Sequence, residues 1–361
     1  MRNWYLHGSV ITPSGDKKEV WVNNGLISYT PKTGTSYKEF EGFIFPGLVD
    51  MHCHLGMSEK GATSIATAQK QAQINMDSGV LAIRDGGSRL NNEWFKTRTD
   101  MPVVFTAGNH IAKTKRYIKD FAVELENESD LVKEVVYQAY RTNHWVKIVA
   151  DWIDRSDGAF SDIKPLWSKS VLKEAITAAH EMGVRVMAHS FGTQAAEDLI
   201  ECGVDTIEHG NGLRKEHMQE CAIEKIPVIP TMLQRENFLD FAKKAHGKYP
   251  LYEKTMAEYY ENRYSQLIQM YEEKVLLLPG SDAGGSISHG LISDELALWV
   301  KAGIPTKEVI NFAVFEARKF LGISTLEDYS GADLVIYSRD PREDISVLKS
   351  PELVLLRGKK V

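Results

Sequence analysis

Two histidines separated by a single residue, His52 and His54, carry the clearest chemical signal in the sequence. They close the segment 45–54, whose apolar residues predict a buried strand. Residues i and i+2 of a strand share one face, so both imidazoles point to one side and Cys53 points away. Adjacent imidazoles pack poorly in a protein interior but bind transition metals well. A bare His-x-His pattern also arises by chance, so the prediction of a metal site depends on further ligands.

Four more residues that can bind metal are associated with apolar runs farther along the chain. Lys147 lies within the run 145–149, where a buried ammonium group needs a partner. His189, His209 and Asp282 each end a run of this kind. Taken singly, each has an ordinary explanation as a core histidine, a salt-bridged lysine or a helix N-cap. Agreement at all of these strand ends is not expected by accident, so we expect the side chains to converge.

Apolar runs alternate with helix-period segments across residues 47–325. In the segment 170–182, for example, apolar residues recur at helical spacing before Gly183. Strands that alternate with helices predict an α/β fold with a parallel sheet. About eight strands in a segment of this length are typical of a (β/α)8 TIM barrel, which carries its chemistry at the carboxyl ends of its strands. A doubly wound open sheet is the alternative, but no glycine-rich phosphate loop follows the first strand.

The two ends of the chain have a different sequence pattern. Residues 1–46 contain short β segments separated by turns, including Asn24-Gly25, a pair typical of hairpins. Residues 326–361 show the same pattern, and neither end has enough strands to bury a face alone. We therefore predict one small β-sandwich domain built from both ends, with the barrel at 47–325 inserted between them. The polar and aromatic segment 233–273 interrupts the alternation and is predicted to form a helical cap.

Composition excludes several classes of function. The 361 residues are 43% hydrophobic and 25% charged, as in globular proteins, and the net charge of −6 argues against a nucleic-acid partner held by a basic face. No run approaches the roughly 20 apolar residues of a membrane helix, and the N-terminus lacks the apolar core of a secretory signal. Three cysteines do not suggest a disulfide framework. We expect a cytoplasmic homo-oligomer that acts on a small molecule, without nucleic-acid or membrane partners.

The order of the candidate ligands, His-x-His, Lys, His, His and Asp, resembles that of the amidohydrolase superfamily. The phrases FPGLVDMHCHLG, AHSFG, DTIEHG and GSDAGG resemble its imidazolonepropionase-like and Xaa-Pro dipeptidase-like branch in particular. The similarity extends over essentially the whole chain, including SVLKEAITAAHEMG and ELALWVKAGIPTKEVINFAVFEARKFLGI. This resemblance implies the same barrel with a binuclear metal site.

By this resemblance, His52, His54 and Asp282 bind one divalent metal ion, and His189 and His209 bind a second. Lys147 is expected to link the two as a carbamate formed with CO2, because a carbamate is an anionic oxygen ligand whereas an ammonium group repels cations. Imidazole and carboxylate oxygens suit zinc. Asp282 is expected to accept a proton from a metal-bridging water and to deliver it to the leaving amine.

Three further residues are expected to contact the substrate. His110 matches a loop histidine that lies near the scissile group in similar proteins. Trp167 stands where similar proteins often have a tyrosine, and Arg155, in the loop after Lys147, can pair with a substrate carboxylate. A locally bonded histidine and a solvated arginine are the alternatives for His110 and Arg155.

The expected reaction is metal-dependent hydrolysis of an amide bond in a small substrate such as a dipeptide, an N-acyl amino acid or a cyclic amide. A lactonase or carboxylic-ester hydrolase using the same site is the enzymatic alternative. A non-catalytic oligomeric scaffold is the alternative of another class, although a scaffold has no reason to retain all six ligands.

Overall fold

Strands from both ends of the chain share one sheet in the computed structural model, which describes residues 3–142 and 144–361. Trp4–Val10 pairs parallel with Lys38–Pro46, which pairs antiparallel with Leu334–Tyr337 and so joins the two ends. The seven strands lie in the order Lys359–Lys360, Leu353–Leu356, Leu334–Tyr337, Lys38–Pro46, Trp4–Val10, Lys17–Asn23 and Leu26–Ser28.

The local sequence explains how this sheet forms. Asn24 and Gly25 have φ angles of 55° and 88°, the left-handed conformations that a tight hairpin between Lys17–Asn23 and Leu26–Ser28 requires. The indole nitrogen of Trp4 donates to the Gly358 carbonyl at 2.9 Å, which ties the two chain ends together. Strands of both chain ends thus belong to one hydrogen-bonded sheet of seven strands, and the two-layer β-sandwich domain at 1–46 and 326–361 stays a prediction. Their shared core consists of Trp4, Leu6, Val10, Val20, Val22, Ile27, Ile44, Leu326, Ala332, Leu334, Ile336, Leu353 and Leu355.

Parallel strands alternate with helices through the middle of the chain. One set pairs in the order Leu48–Cys53, Val80–Asp85 and Val103–Thr106. A second set pairs in the order Val123–Leu125, Ile111–Lys113, Trp145–Val149, Arg185–Ser190, Thr206–His209 and Val228–Ile229.

The segment 275–283 links these two sets. The backbone N–H of Leu278 donates to the Val228 carbonyl at 3.1 Å, and that of Asp282 donates to the His52 carbonyl at 2.7 Å. Within the described residues, no strand pairing joins Val103–Thr106 to Trp145–Val149. The architecture is therefore an α/β arrangement of the TIM-barrel kind, in which the first and last segments lie side by side.

Helices surround these strands, and their ends follow local sequence signals. Lys169–Glu181, for example, is followed by Gly183, whose φ of 72° ends the helix. Within the described residues, no helix combines the length and apolarity needed to span a membrane. The α-helices are Ile65–Asp77, Leu131–Thr142, Lys169–Glu181, Thr193–Cys202, Lys215–Glu224, Met232–Glu236, Phe238–Ala245, Pro250–Glu261, Arg263–Glu272, Ile292–Ala302, Thr306–Ile310 and Ala317–Leu321.

The segment 233–273, for which the sequence predicts a helical cap, is almost entirely helical. We use "cap" for the four helices between Met232 and Glu272. Two of them, Phe238–Ala245 and Pro250–Glu261, share a hydrophobic cluster with Phe191, which directly follows strand Arg185–Ser190 and whose ring centroid lies 5.2 Å from that of Phe238. The cap therefore lies against the carboxyl ends of the strands, where the candidate ligands are found.

Candidate metal centre and active site

Side chains from the first and last segments of the barrel meet at one point. His52 lies in strand Leu48–Cys53, His54 directly follows it, and Asp282 follows the last apolar run. The Nε2 atoms of His52 and His54 lie 3.2 and 3.5 Å from Asp282 Oδ1. One ligand atom from each of the three residues lies within 4.8 Å of the others. This spacing allows the three side chains to bind one metal ion.

Lys147, His189 and His209 lie beside this group. The ring of His209 has its centroid 5.2 Å from that of His52 and 4.7 Å from that of His189. Lys147 is 2% exposed, and its amine has no hydrogen-bond partner within the described residues. Burial lowers the pKa of Lys147 to about 8, because the ammonium form is poorly solvated there. The structure thus brings together the six residues that the sequence nominates as ligands.

The hydrogen bonds of His52 and His54 test whether these residues fit a metal ion. His54 Nδ1 lies 2.6 Å from the Gly87 carbonyl, which can only accept, so Nδ1 carries a hydrogen and a neutral ring keeps its lone pair on Nε2. His52 Nδ1 lies 2.5 Å from Glu208 Oε2, which has the same effect on a neutral ring when that carboxylate is ionised. Burial and the charge of Lys147 oppose the ionised form of His52, but the charges of Glu208 and Asp282 prevail and raise its pKa, so the site favours positive charge between these groups. A divalent ion supplies such charge at the same atoms.

His189 and His209 are also in the form that binds metal. Burial is the main cause that lowers the pKa of both imidazoles well below the ordinary value. The next contribution comes from Lys147 for His189 and from His189 for His209. Both rings are therefore neutral at pH 7. His209 Nδ1 lies 2.7 Å from Thr231 Oγ1, which leaves its Nε2 free for another contact. The imidazoles of His189 and His209 are therefore also suited in their chemistry to bind a divalent ion.

Two of the candidate ligands have unusual backbone conformations. His209 and Asp282 have φ angles of 69° and 55°, in the left-handed region that non-glycine residues rarely adopt. Neighbouring side chains of a regular strand face opposite sides, yet Glu208 contacts His52 and the adjacent His209 ring contacts His189. The turn of the backbone at His209 allows both side chains to face the interior. Strained backbone at such positions is common in functional sites.

A buried ion pair that the sequence does not reveal supports His52. Arg84 Nη2 donates to Glu208 Oε1 at 2.8 Å, and both side chains are fully buried. Thr206 Oγ1 donates to the same carboxylate oxygen at 2.6 Å. Burial by itself raises the pKa of Glu208, but the charges of Arg84 and Lys147 lower it below its usual range. Glu208 is therefore ionised and fixes the ring of His52.

A second buried network connects the cap to His209. Arg235 is fully buried, and its Nη2 donates to the His209 carbonyl at 2.6 Å while Nη1 donates to Gln266 Oε1 at 2.6 Å. Glu295 accepts hydrogen bonds from the first two backbone N–H groups of Met232–Glu236. The position of His209 thus depends on residues of the cap and of the helix that carries Glu295. These contacts join residues distant in the chain, so no local motif indicates them.

A cavity of about 210 Å³ opens onto the metal centre. Its polar side presents ligand residues and its opposite wall is largely aromatic, which suits a small substrate with an apolar group. The cavity, which we call the active-site cavity, is lined by His54, Met57, Glu59, Tyr117, Ile118, Phe121, Trp152, His189, Phe191, His209, Gln234, Phe241, Asp282, Gly285 and Ser286.

The three residues predicted to contact substrate have different locations. His110 is 1% exposed, its ring centroid lies 5.6 Å from that of His54, and neither ring nitrogen has a partner within the described residues. Trp167 is not among the residues that line the active-site cavity, because its buried indole nitrogen donates to the Val149 carbonyl at 2.8 Å. Trp152 forms part of the cavity wall instead. Arg155 lines a neighbouring cavity.

Comparison with known proteins identifies the family. Residues 43–361 match the model of the amidohydrolase family. The chain belongs to the amidohydrolase family. It is accordingly a hydrolytic enzyme, and enzymes of this family generally use divalent metal ions.

Relatives of this amidohydrolase extend over nearly its full length. Uncharacterized proteins of Mycobacterium tuberculosis and Mycobacterium bovis are 41% identical to it over 341 residues, which is 94% of this chain and 91% of theirs. Among solved structures, a Xaa-Pro dipeptidase with bound methionine is 21% identical with a TM-score of 0.84, and 99% of each chain is covered. A prolidase complexed with N-methylphosphonate-L-proline is 18% identical with a TM-score of 0.82 and the same coverage. These structures share the fold of this chain.

Proposed function

We propose that this amidohydrolase uses two divalent metal ions to cleave an amide bond in a small substrate such as a dipeptide, an N-acyl amino acid or a cyclic amide. The observation that carries this proposal is the convergence of the Nε2 atoms of His52 and His54 on Asp282, with Lys147, His189 and His209 alongside. His52, His54 and Asp282 would hold one zinc ion. His189 and His209 would hold the second, and Lys147, as a carbamate, would link them within a closed eight-stranded barrel.

The residues of the site divide the chemical tasks. Divalent ions bound in such a centre lower the pKa of a coordinated water and polarise a carbonyl group. Asp282 is 13% exposed in its side chain and lines the active-site cavity, so it can take a proton from the attacking water and pass it to the leaving amine. His110, buried next to His54 with both ring nitrogens unpartnered within the described residues, would hydrogen-bond the substrate beside the scissile group.

The shape of the cavity and the structural relatives support a small amide substrate. A volume of about 210 Å³ with walls formed by Tyr117, Trp152, Phe191 and Phe241 fits a compact group with an apolar side chain. The proteins that share this fold include a Xaa-Pro dipeptidase with bound methionine and a prolidase complexed with N-methylphosphonate-L-proline.

Metal analysis and a substrate screen test the proposal. Protein supplied with zinc and bicarbonate is expected to retain about two equivalents of zinc and to hydrolyse members of a dipeptide, N-acyl amino acid and lactam panel. Carbon-13-labelled bicarbonate is expected to give a carbamate resonance that Lys147→Met abolishes. Turnover restricted to lactones or esters would favour the ester-hydrolase alternative. Less than one equivalent of metal, not restored by zinc and bicarbonate, would favour the scaffold.

A further inference from the structure

A second cavity lies next to the active-site cavity. It has a volume of about 370 Å³ and shares Trp152 and Phe241 with its neighbour, so the two cavities adjoin at these two aromatic side chains. One side comes from the hairpin after Lys147, and the other comes from the cap. We call it the outer cavity, and its lining residues are Trp152, Ile153, Arg155, Phe241, Lys244, Ala245, Lys248, Tyr249 and Tyr252.

All charged residues that line the outer cavity are positively charged. Arg155, Lys244 and Lys248 contribute three cations, and no acidic residue is among the lining residues. None of the three forms an ion pair within the part of the chain that the structure describes, whereas the adjacent Lys243 lies 3.2 Å from Asp240. The whole chain carries a net charge of −6, so a purely cationic cavity departs from its overall balance. Such a concentration of one charge in a concave site attracts anions.

Acidic residues on the same elements are engaged elsewhere. Asp154 Oδ2 lies 3.2 Å from Arg116, and its other oxygen accepts from Ser156. On the cap, Glu253 lies 2.9 Å from His246. Asp162, in the same hairpin, accepts from Thr255 of the cap and forms no ion pair within the described residues, and its charge acts on Tyr252. Arg155, Lys244 and Lys248 are exposed and have no acidic partner of their own among the described residues, so they remain available to an incoming anion.

We propose that the outer cavity binds a carboxylate group of the substrate while the scissile amide lies at the metal centre. This inference rests on the proposed function and narrows it, because it makes the substrates anionic amides. Arginine and lysine form charge-assisted hydrogen bonds with carboxylates, and the phenols of Tyr249 and Tyr252 add donors at the same place. Trp152 and Phe241 contact the apolar part of the substrate between its two polar ends.

Matched substrate pairs test this proposal through catalysis. One pair is a dipeptide with a free carboxyl terminus and its carboxamide, and the other is an N-succinyl and an N-butanoyl amino-acid amide. The two members of each pair differ by one carboxylate. In the first pair this carboxylate lies on the amine side of the scissile bond, and in the second pair it lies on the acyl side. In at least one pair we expect kcat/KM to favour the anionic member by about tenfold, and the R155Q/K244Q/K248Q variant to abolish that ratio. An unchanged ratio, or no preference in either pair, would overturn the proposal.

A charge-matched control separates local binding from general electrostatics. Lys215, Lys243 and Lys254 are exposed, are each paired with an acidic residue and lie outside the outer cavity. The K215Q/K243Q/K254Q variant removes the same amount of charge and should keep the wild-type preference. If this variant loses the preference equally, the effect belongs to the net charge of the protein and not to the outer cavity.

A binding measurement distinguishes failure of this inference from failure of the proposed function. Succinate is titrated calorimetrically into the zinc-loaded full-length protein. We expect the R155Q/K244Q/K248Q variant to bind it about tenfold more weakly than the wild type and the control variant. Equal succinate binding overturns the inference whether or not any amide is hydrolysed. Weakened binding in the variant, together with inactivity on every amide, would support the anion site and refute the proposed amide chemistry.

Discussion

The hydrogen bond at one ring nitrogen of each histidine determines what the other nitrogen can bind. The Gly87 carbonyl fixes His54, Glu208 fixes His52, and Thr231 fixes His209, in each case through Nδ1. Such partners orient a ligand ring and raise its basicity. Single substitutions that keep the shape of a side chain and change its charge therefore report most directly on the chemistry of the centre.

Asp282→Asn should separate metal binding from proton transfer. The asparagine side chain keeps an oxygen that can face the metal centre, but it cannot accept and release a proton as a carboxylate does. We expect kcat to fall by about 10²–10⁴-fold while the zinc content stays at the wild-type level. Turnover and metal content measured on the same preparation check this. Undiminished turnover would refute the role of Asp282 as general base.

Glu208→Gln should weaken the fold and the metal site together. It leaves the charge of Arg84 buried without a counter-ion, which costs about 3–5 kcal/mol of unfolding free energy. It also weakens the support of His52, for which the expected loss in zinc affinity is roughly 10–100-fold. Denaturant unfolding and competitive zinc titration measure the two effects. The exposed Glu216→Gln serves as the control, and equal behaviour of the two variants would contradict the prediction.

At the scale of elements, the cap both covers the strand ends and holds one of them in place. Arg235 reaches from Met232–Glu236 to the carbonyl of His209, and Gln266 extends the contact to Arg263–Glu272. The cap thereby supports the left-handed backbone at His209 that turns the imidazole inward. A change in the cap is expected to alter the metal centre without touching a ligand.

Arg235→Met tests this coupling. Methionine fills much of the volume but cannot donate to the His209 carbonyl, so we expect the affinity for Co2+ to fall roughly 10–100-fold. Visible absorption during a Co2+ titration monitors binding independently of activity. Arg263→Gln is the matched control because Arg263 pairs with Glu236 on the same cap at 2.7 Å. Wild-type Co2+ affinity in Arg235→Met would show that the cap does not position His209.

Glu295, which accepts hydrogen bonds from the first cap helix, is expected to make the free energy of unfolding depend on pH. Burial raises its pKa to about 7, although hydrogen bonds from Met232 and Trp299 oppose the shift. Above its ordinary pKa of 4.5 the unfolded state releases the proton that the folded state retains. This group should therefore lower the free energy of unfolding by up to about 3 kcal/mol as pH rises from 4.5 to 7.

Urea unfolding of the wild type and Glu295→Gln across this pH range measures the contribution of Glu295. Other titrating groups cancel in the difference between the two proteins, so the wild type should lose more stability with rising pH than the variant. Parallel stability curves would show that Glu295 binds its proton equally in the folded and unfolded states, which contradicts a raised pKa in the folded protein.

For the molecule as a whole, sequence patterns predict the candidate metal ligands better than they predict the residues that hold those ligands in place. His52, His189 and Asp282 end apolar runs, and parallel strands bring such ends to one edge, so their convergence follows from local patterns. The contact between His52 and Glu208 spans 156 residues, and nothing local to either residue indicates it. Trp167 is a residue type that often lines cavities, but its indole nitrogen donates to a backbone carbonyl instead. The direction of such a side chain depends on packing, which the sequence pattern does not show.

The sheet from the chain ends is part of the scaffold of the metal centre. Lys38–Pro46 continues through Gly47 into Leu48–Cys53, the strand that carries His52. The backbone N–H of Gly47 donates to the Asp333 carbonyl at 2.9 Å, and Arg318 donates to the Gly47 carbonyl at 2.9 Å. The C-terminal segment, through Asp333, and helix Ala317–Leu321, through Arg318, therefore both hold the start of the first barrel strand.

A chain truncated after residue 325 tests this dependence. All six candidate ligands remain, but the loss of Leu334–Tyr337 leaves Lys38–Pro46 paired only with Trp4–Val10 and uncovers the buried Ile44. We expect an insoluble or non-cooperatively unfolding protein that does not bind zinc, as judged by soluble yield, thermal unfolding and metal content. Removal of only residues 359–361, which are exposed, should leave all three at wild-type values. A soluble 1–325 chain with full zinc content would contradict this prediction. It would show that the first barrel strand is held in place without the strands of the C-terminal segment.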